Sequence, residues 1–422
     1  MPGEVTLNTQ LGKEQMLVSN TPQLAYLMVE AKATEVVAQV RMPLNFALVL
    51  DRSGSMKGAK LTAVKKAVQK LVEQMSDTDY ISVITFDETV QVIVPAQPAM
   101  DKQGISYRVG QIREGGGTTM SHGMAAALNE LQKYASAGTI NRMVLLTDGV
   151  TYGDTDRCRN LADDAGRRGF NIYPLGIGAD WDEDLLDNVG RRSGGLEAEF
   201  IRQPDDALTI FRQQFQSAAA VAVRNAQLTL KLSAGITPRR IVRVLPQITD
   251  LGQQGLRDTA ASVPLGDLEK DSSQAVLFEL MIEPKPAGVF RIAVAELTYD
   301  VPLLNHTGEQ VQTNVVLGFT QNPAEASADN ALVMNFVEKA NAHRLVTRVL
   351  DEYKSTGKVT TVLHENVTKV LDAETQATLA QISAGQQVSK EQIKSVGNKT
   401  RKLTLDLMAS YGGSSDATTE EG

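Results

Sequence analysis

One cysteine, Cys158, stands in 422 residues, so no disulfide can form within the chain, and a reducing compartment is the expected setting. No stretch approaches the ~20 consecutive apolar residues that a membrane-spanning helix requires. Met1-Pro2-Gly3-Glu4-Val5-Thr6 lacks the basic and apolar regions of a secretory leader, which adds to the expectation of a cytoplasmic protein with no membrane partner. Histidine is scarce: His122, His306, His343 and His364 are scattered and form no zinc motif. Aromatic residues make up 5% of the chain, and 42 Lys and Arg against 50 Asp and Glu give a net charge of −8. With no basic patch interleaved with aromatics, nucleic acid is not an expected partner. The short basic block Lys399-Thr400-Arg401-Lys402 reads as a solvated helix face. No Gly-x-x-x-x-Gly-Lys-Ser/Thr loop is present to cradle a nucleotide. No motif places a His or Lys as base to a nucleophile, so an enzyme is not expected.

Three segments carry the chemistry that is present. Leu44-Asn45-Phe46-Ala47-Leu48-Val49-Leu50 reads as a buried parallel strand, and Asp51-Arg52-Ser53-Gly54-Ser55 follows at its carboxyl end, where open α/β sheets place ligands. One carboxylate and two hydroxyls on a tight turn suit a hard divalent cation better than zinc. A phosphotransferase that uses a strand-end Asp would need a second carboxylate two residues on; here that position is Ser53. Gly115-Gly116-Gly117-Thr118-Thr119 reads as a flexible Gly loop delivering a hydroxyl ahead of an amphipathic helix. Capping that helix is the alternative use of Thr118, and Thr119 is its nearby competitor. Met143-Val144-Leu145-Leu146-Thr147-Asp148-Gly149 is another buried-strand pattern ending in a carboxylate. Arg52, Met56 and His122 are candidate rim residues. Asp87, Asp154 and Asp156 read as solvated loop acids, and Cys158 as packing.

Asp-x-Ser-x-Ser, a Thr after a Gly pair, and a strand-terminal Asp-Gly, in that order, resemble the metal-ion-dependent adhesion site of von Willebrand factor A domains. The resemblance spans roughly Leu44 to Ala220. It implies that Ser53, Ser55 and Thr118 ligate Mg²⁺ (or Mn²⁺ or Ca²⁺) directly or nearly so, while Asp51 and Asp148 hold it partly through waters. It further implies a metal-dependent scaffold that binds a Glu or Asp carboxylate of a partner protein. An adaptor subunit of an AAA+ ATPase is the alternative, and a surface adhesin ranks last.

Around this segment the period changes. Alternating strands and helices over 43–220 predict a doubly wound, mostly parallel sheet. From Val221 a period of two, as in Gln227-Leu228-Thr229-Leu230-Lys231-Leu232, predicts about five strands of an antiparallel β-sandwich over 221–321. Residues 1–42 are too few for a domain of their own and are expected to complete that sandwich, with the α/β domain inserted between. Val36–Val40 is one of the strands expected there. Residues 322–410 read as helical, with segments at Ala331–Tyr353, Val359–Leu371 and Lys390–Met408. The Gly-, Ser- and Glu-rich end, 411–422, is expected to be disordered. The overall order looks like bacterial intracellular proteins carrying one such domain.

Overall fold

The computed structural model describes residues 3–34, 37, 41–252, 256–257, 259–270, 272–405 and 407. Two compact units emerge: Val37–Asn225 with Val301–His306, and Met1–Val36 with Ala226–Asp300 and Thr307–Gly422.

The first unit holds a six-stranded sheet in the order Val90–Pro98, Tyr80–Phe86, Leu44–Asp51, Ile140–Thr147, Asn171–Ile177, Glu199–Ile201. All neighbours are parallel except the Val90–Pro98 edge strand. Alternation along the central strand explains why both faces are covered. Phe46, Leu48 and Leu50 pack with Leu61, Val64, Val68 and Phe211, whereas Ala47 and Val49 pack with Met124, Leu128, Leu185 and Leu186. The Leu44–Asp51 and Ile140–Thr147 strands sit side by side, and successive connections leave them in opposite directions across the sheet. Their carboxyl ends flank the crevice where strand order reverses. The expected α/β class holds. A helix at Lys102–Gly110 went unforeseen because only Ile105 and Val109 of its nine residues are buried, too weak a stripe to read.

In the second unit, Val5–Leu11 pairs antiparallel with Gln23–Ala33, which pairs in turn with Ser273–Ile282, so strands some 250 residues apart share one sheet (Gln23 faces Ile282). That sheet continues through Ile236–Leu245 to Thr249–Gly252. A six-stranded sheet runs Leu256–Arg257, Ala260–Glu269, Val221–Leu232, Gly288–Val301, His306–Thr320, Gln15–Leu17. Residues 221–321 hold more strands than the five read from periodicity, since Thr249–Gly252 and Leu256–Arg257 are only four and two residues long and Ala260–Glu269 contains Pro264. The strand expected at Val36–Val40 lies, apart from Val37, outside the described residues, as does the tail 411–422.

The helical segment does not stand apart from the sheets. The first half of the Ala331–Thr356 helix buries Val333, Phe336, Val337 and Ala340 against Met28, Val242, Val244 and Leu277. Its second half buries Ala342, Val346 and Val349 against Val367, Leu379, Ile382 and Val396 of the following short helices. Val359–Leu363 is not helical, contrary to expectation: Glu352 accepts hydrogen bonds from the amides of Thr360 and Thr361 and holds that segment as a loop.

His343 on the long helix bonds Thr400 at 3.1 Å, and its pKa is pushed down to about 4 by burial and by the Arg401 and Arg240 cations, against a weaker pull from Asp250. The unfolded ring takes up a proton below its ordinary value of 6.5 while the folded ring refuses one until about 4, so stability should fall as pH drops through that window. His343→Gln is expected to flatten this slope in urea melts taken from pH 7 to 4; an unchanged slope would assign the acid sensitivity elsewhere.

Candidate functional site

Asp51 ends the central strand with no exposed surface. Its Oδ1 accepts the Ser53 amide at 2.7 Å and its Oδ2 accepts the Thr147 hydroxyl at 2.6 Å. Burial raises its pKa and Asp148 adds to the rise, while the bonds from Thr147 and Ser53 oppose it. Ser53 and Ser55 hydroxyls lie 3.0 Å apart, and Ser55 donates to Asp148 Oδ1 at 2.7 Å. Ser53 is buried and Ser55 exposed, so the cluster opens to solvent at one side. Asp51, Ser53, Ser55 and Asp148 therefore form one hydrogen-bonded set across the two adjacent strand ends.

Thr118 reaches the same crevice through backbone bonds between loops. Gly115 N–H donates to the Arg52 carbonyl at 2.7 Å, and Gly54 N–H to the Gly116 carbonyl at 3.0 Å. The following helix, Met120–Gln132, is not capped by Thr118, nor by the side chain of Thr119. Its first amides are met by the loop after Asp148: Met120 N–H donates to Thr151 Oγ1 at 3.1 Å and Ser121 N–H to Asp154 Oδ2 at 2.8 Å. Thr151 also donates to the Thr118 carbonyl at 3.3 Å. Among the described residues the buried Thr118 hydroxyl makes no hydrogen bond, which leaves it available to a ligand.

Several side chains differ from their expected roles. Asp87 is not a solvated acid: it is 5% exposed, pairs with Arg52 at 2.9 Å, and accepts the Thr89 amide and hydroxyl at 2.6 and 2.7 Å. Burial alone would raise its pKa, but Thr89, Arg52 and the Gly116 amide together lower it. Asp154 is a helix cap, while Asp156 is indeed an exposed acid beside Arg159. Met56 is fully buried in the core and so is no rim residue. Cys158 is buried and its thiol pushed up to about 12, chiefly by desolvation, which makes it inert. The glycine loop is not there for flexibility. A Cβ on Gly115 would lie 1.8 Å from Asp87 Oδ2, and Gly117 donates to Glu88 at 3.3 Å, so the backbone must pass flush against both acids.

One participant was missed. Lys60 Nζ donates to Asp148 Oδ2 at 2.5 Å, with the lysine side chain 31% exposed and the aspartate side chain 0%. Its signal in sequence was only its position five residues after Ser55, which means nothing until the helix direction is known.

Three hydroxyls and two carboxylates, with no nitrogen or sulfur, are the donor chemistry of a hard divalent cation. The residues fit such an ion, with Ser53, Ser55 and Thr118 as the neutral oxygens. Among the described residues no three His, Cys, Asp or Glu side chains gather into a cage, so this hydroxyl-rich cluster differs in kind from an acid-rich site.

The profile of the von Willebrand factor type A domain matches residues 45–214. An uncharacterized protein of Synechocystis is 32% identical over 273 residues, covering 63% of this chain and 64% of the relative. Human inter-alpha-trypsin inhibitor heavy chain H4 is 29% identical over 196 residues, 43% of this chain but 21% of its own length. The chain thus spans less than two thirds of either. A solved von Willebrand factor type A protein from Catenulispora acidiphila superposes with a TM-score of 0.74 at 18% identity, covering 94% of this chain and 96% of that one. The ArnB paralog VWA2 from Sulfolobus acidocaldarius gives 0.54 at 16% identity, covering 95% and 99%. At such identities these two likenesses concern the fold alone.

Proposed function

We propose that the von Willebrand factor type A domain formed by residues 45–214 makes this chain a metal-dependent protein-binding scaffold, not an enzyme. The observation that carries the reading is the hydrogen-bonded set Ser53–Ser55–Asp148 beside the uncommitted Thr118 hydroxyl, at the carboxyl edge of the sheet. A bound Mg²⁺ or Mn²⁺ would supply positive charge that a partner's Glu or Asp carboxylate completes. The protein's own residues hold the five oxygens in place: Thr147 and the Ser53 amide fix Asp51, Ser55 fixes Asp148, and Thr151 fixes the loops on which Thr118 and Asp148 lie. Next to the site, Val150 and Tyr152 are 42% and 77% exposed on a loop pinned by the buried Thr151. Tyrosine is among the residues most often found as anchors of protein interfaces. A cytoplasmic setting accords with the single cysteine.

Adding Mg²⁺ or Mn²⁺ is expected to raise the melting temperature of the full chain, reversibly with chelator, while Ser53→Ala shows little or no rise. Retention of partners from native lysate should follow the same cation dependence. Equal shifts in wild type and Ser53→Ala would sink the reading.

A further inference from the structure

We propose that Lys60 is the site's built-in counter-cation: it neutralises Asp148 in the cation-free protein and so sets the divalent-cation concentration at which the site fills. The inference rests on the cation reading above and adds a regulatory residue to it.

The placement of Lys60 needs an explanation that helix stability does not provide. It is the second residue of the Ala59–Gln74 helix, whose first turn holds no acidic side chain and whose N-cap, Gly58, offers no side-chain oxygen. A lysine there runs against the helix macrodipole, which favours acids at the N-terminus. Gly58 at a φ of +82° turns the chain sharply between the Ser53–Ser55 turn and this helix, and so brings the lysine back over the crevice. Its ammonium meets Asp148 Oδ2, and that carboxylate is wholly buried. Gly178 lies on the other side, where a Cβ would approach Nζ to 3.4 Å.

Both oxygens of Asp148 are therefore committed, one to Ser55 and one to Lys60. Among the described residues the second buried carboxylate, Asp51, is met only by the neutral donors Ser53 and Thr147. One lysine against two carboxylates leaves the cluster short of positive charge. A dication completes the balance, but it must enter against the ammonium, either displacing it or tolerating it nearby. Repulsion between the two cations weakens binding, and the lysine's tether holds it at a high effective concentration.

The test is calorimetric titration of the full chain with Mn²⁺, comparing wild type, Lys60→Met and Lys60→Arg. Methionine keeps the apolar stem and removes the charge. Lys60→Met is expected to bind Mn²⁺ at least tenfold more tightly than wild type, and Lys60→Arg to stay within a few fold of it. The cation-free Lys60→Met protein should also melt lower than wild type and recover fully at saturating Mn²⁺, because Asp148 has lost the counter-charge of Lys60. Should Lys60→Met fail to fold, Lys60→Gln, which retains a neutral donor for Asp148, replaces it with the same expectation of tighter binding. Equal or weaker Mn²⁺ binding by the neutral variants, with wild type binding and Ser53→Ala not, would overturn the proposal and make Lys60 a positioning residue for Asp148. Absence of Mn²⁺ binding in wild type and neutral variants alike would instead overturn the cation reading beneath it.

Discussion

Asp51→Asn is expected to abolish the cation-induced rise in melting temperature while leaving the cation-free protein at least as stable as wild type. The two effects separate because the carboxylate is fully buried and short of counter-charge, as its raised pKa reflects. An asparagine fits the same hydrogen bonds. Its Oδ1 accepts the Ser53 amide, and its Nδ2 donates to Thr147, whose hydroxyl then turns to the Gly149 carbonyl that already lies 3.3 Å away. What is lost is the negative charge that would hold a cation. Altering groups that orient or neutralise a metal typically lowers affinity by roughly 10- to 100-fold, and removing a buried carboxylate at the ion belongs at the upper end. Thermal melts of wild type and variant with and without Mn²⁺ read both effects at once. A variant that kept the shift would exclude Asp51 from cation binding; one that lost both shift and fold would show that the charge itself is structural.

The second large effect is expected from Gly115→Ala. The added Cβ would meet Asp87 Oδ2 at 1.8 Å and Cγ at 2.8 Å, so the carboxylate must leave its place. That breaks the Arg52–Asp87 pair, whose side chains are 14% and 7% exposed, and strands two charges away from water. Breaking a buried pair costs about 3–5 kcal/mol. It also loosens the Gly115–Arg52 and Gly54–Gly116 backbone bonds that bring Thr118 to Ser53, so cation binding should weaken together with stability. Gly149→Ala is the control: a Cβ there has nothing within 4 Å, and a change within about 0.5 kcal/mol is expected although this glycine directly follows Asp148. Urea denaturation of the two variants settles the contrast. Comparable losses would mean that the loops need glycine for its backbone freedom, not for the room it leaves Asp87.

The residues most legible in sequence were those whose role depends on near neighbours. A run of apolar residues followed by Asp51 and two serines is a strand end with a turn, and the turn's own geometry brings Ser53 and Ser55 to 3.0 Å. Period-two and period-3.6 patterns separated the α/β unit from the strands that follow it, because burial on one or two faces is written directly into the order of residues. Glycine was the misleading signal. Gly115–Gly117 reads as flexibility, yet its reason is the close approach of Asp87 and Glu88, about thirty residues away.

What the sequence determined by itself is an inventory of oxygen groups, three hydroxyls and two carboxylates, each at a strand end or on a Gly-rich turn, and the doubly wound class that places strand ends together. Tertiary structure decided which of their alternatives each residue took. Thr118 is free of capping because Thr151 and Asp154 cap the helix in its place, Asp87 is a buried partner of Arg52, and Lys60 stands on Asp148. These outcomes depend on loops separated by thirty to ninety residues meeting at one crevice. Neither spacing nor composition specifies such distances, and only the order of strands in the sheet sets them.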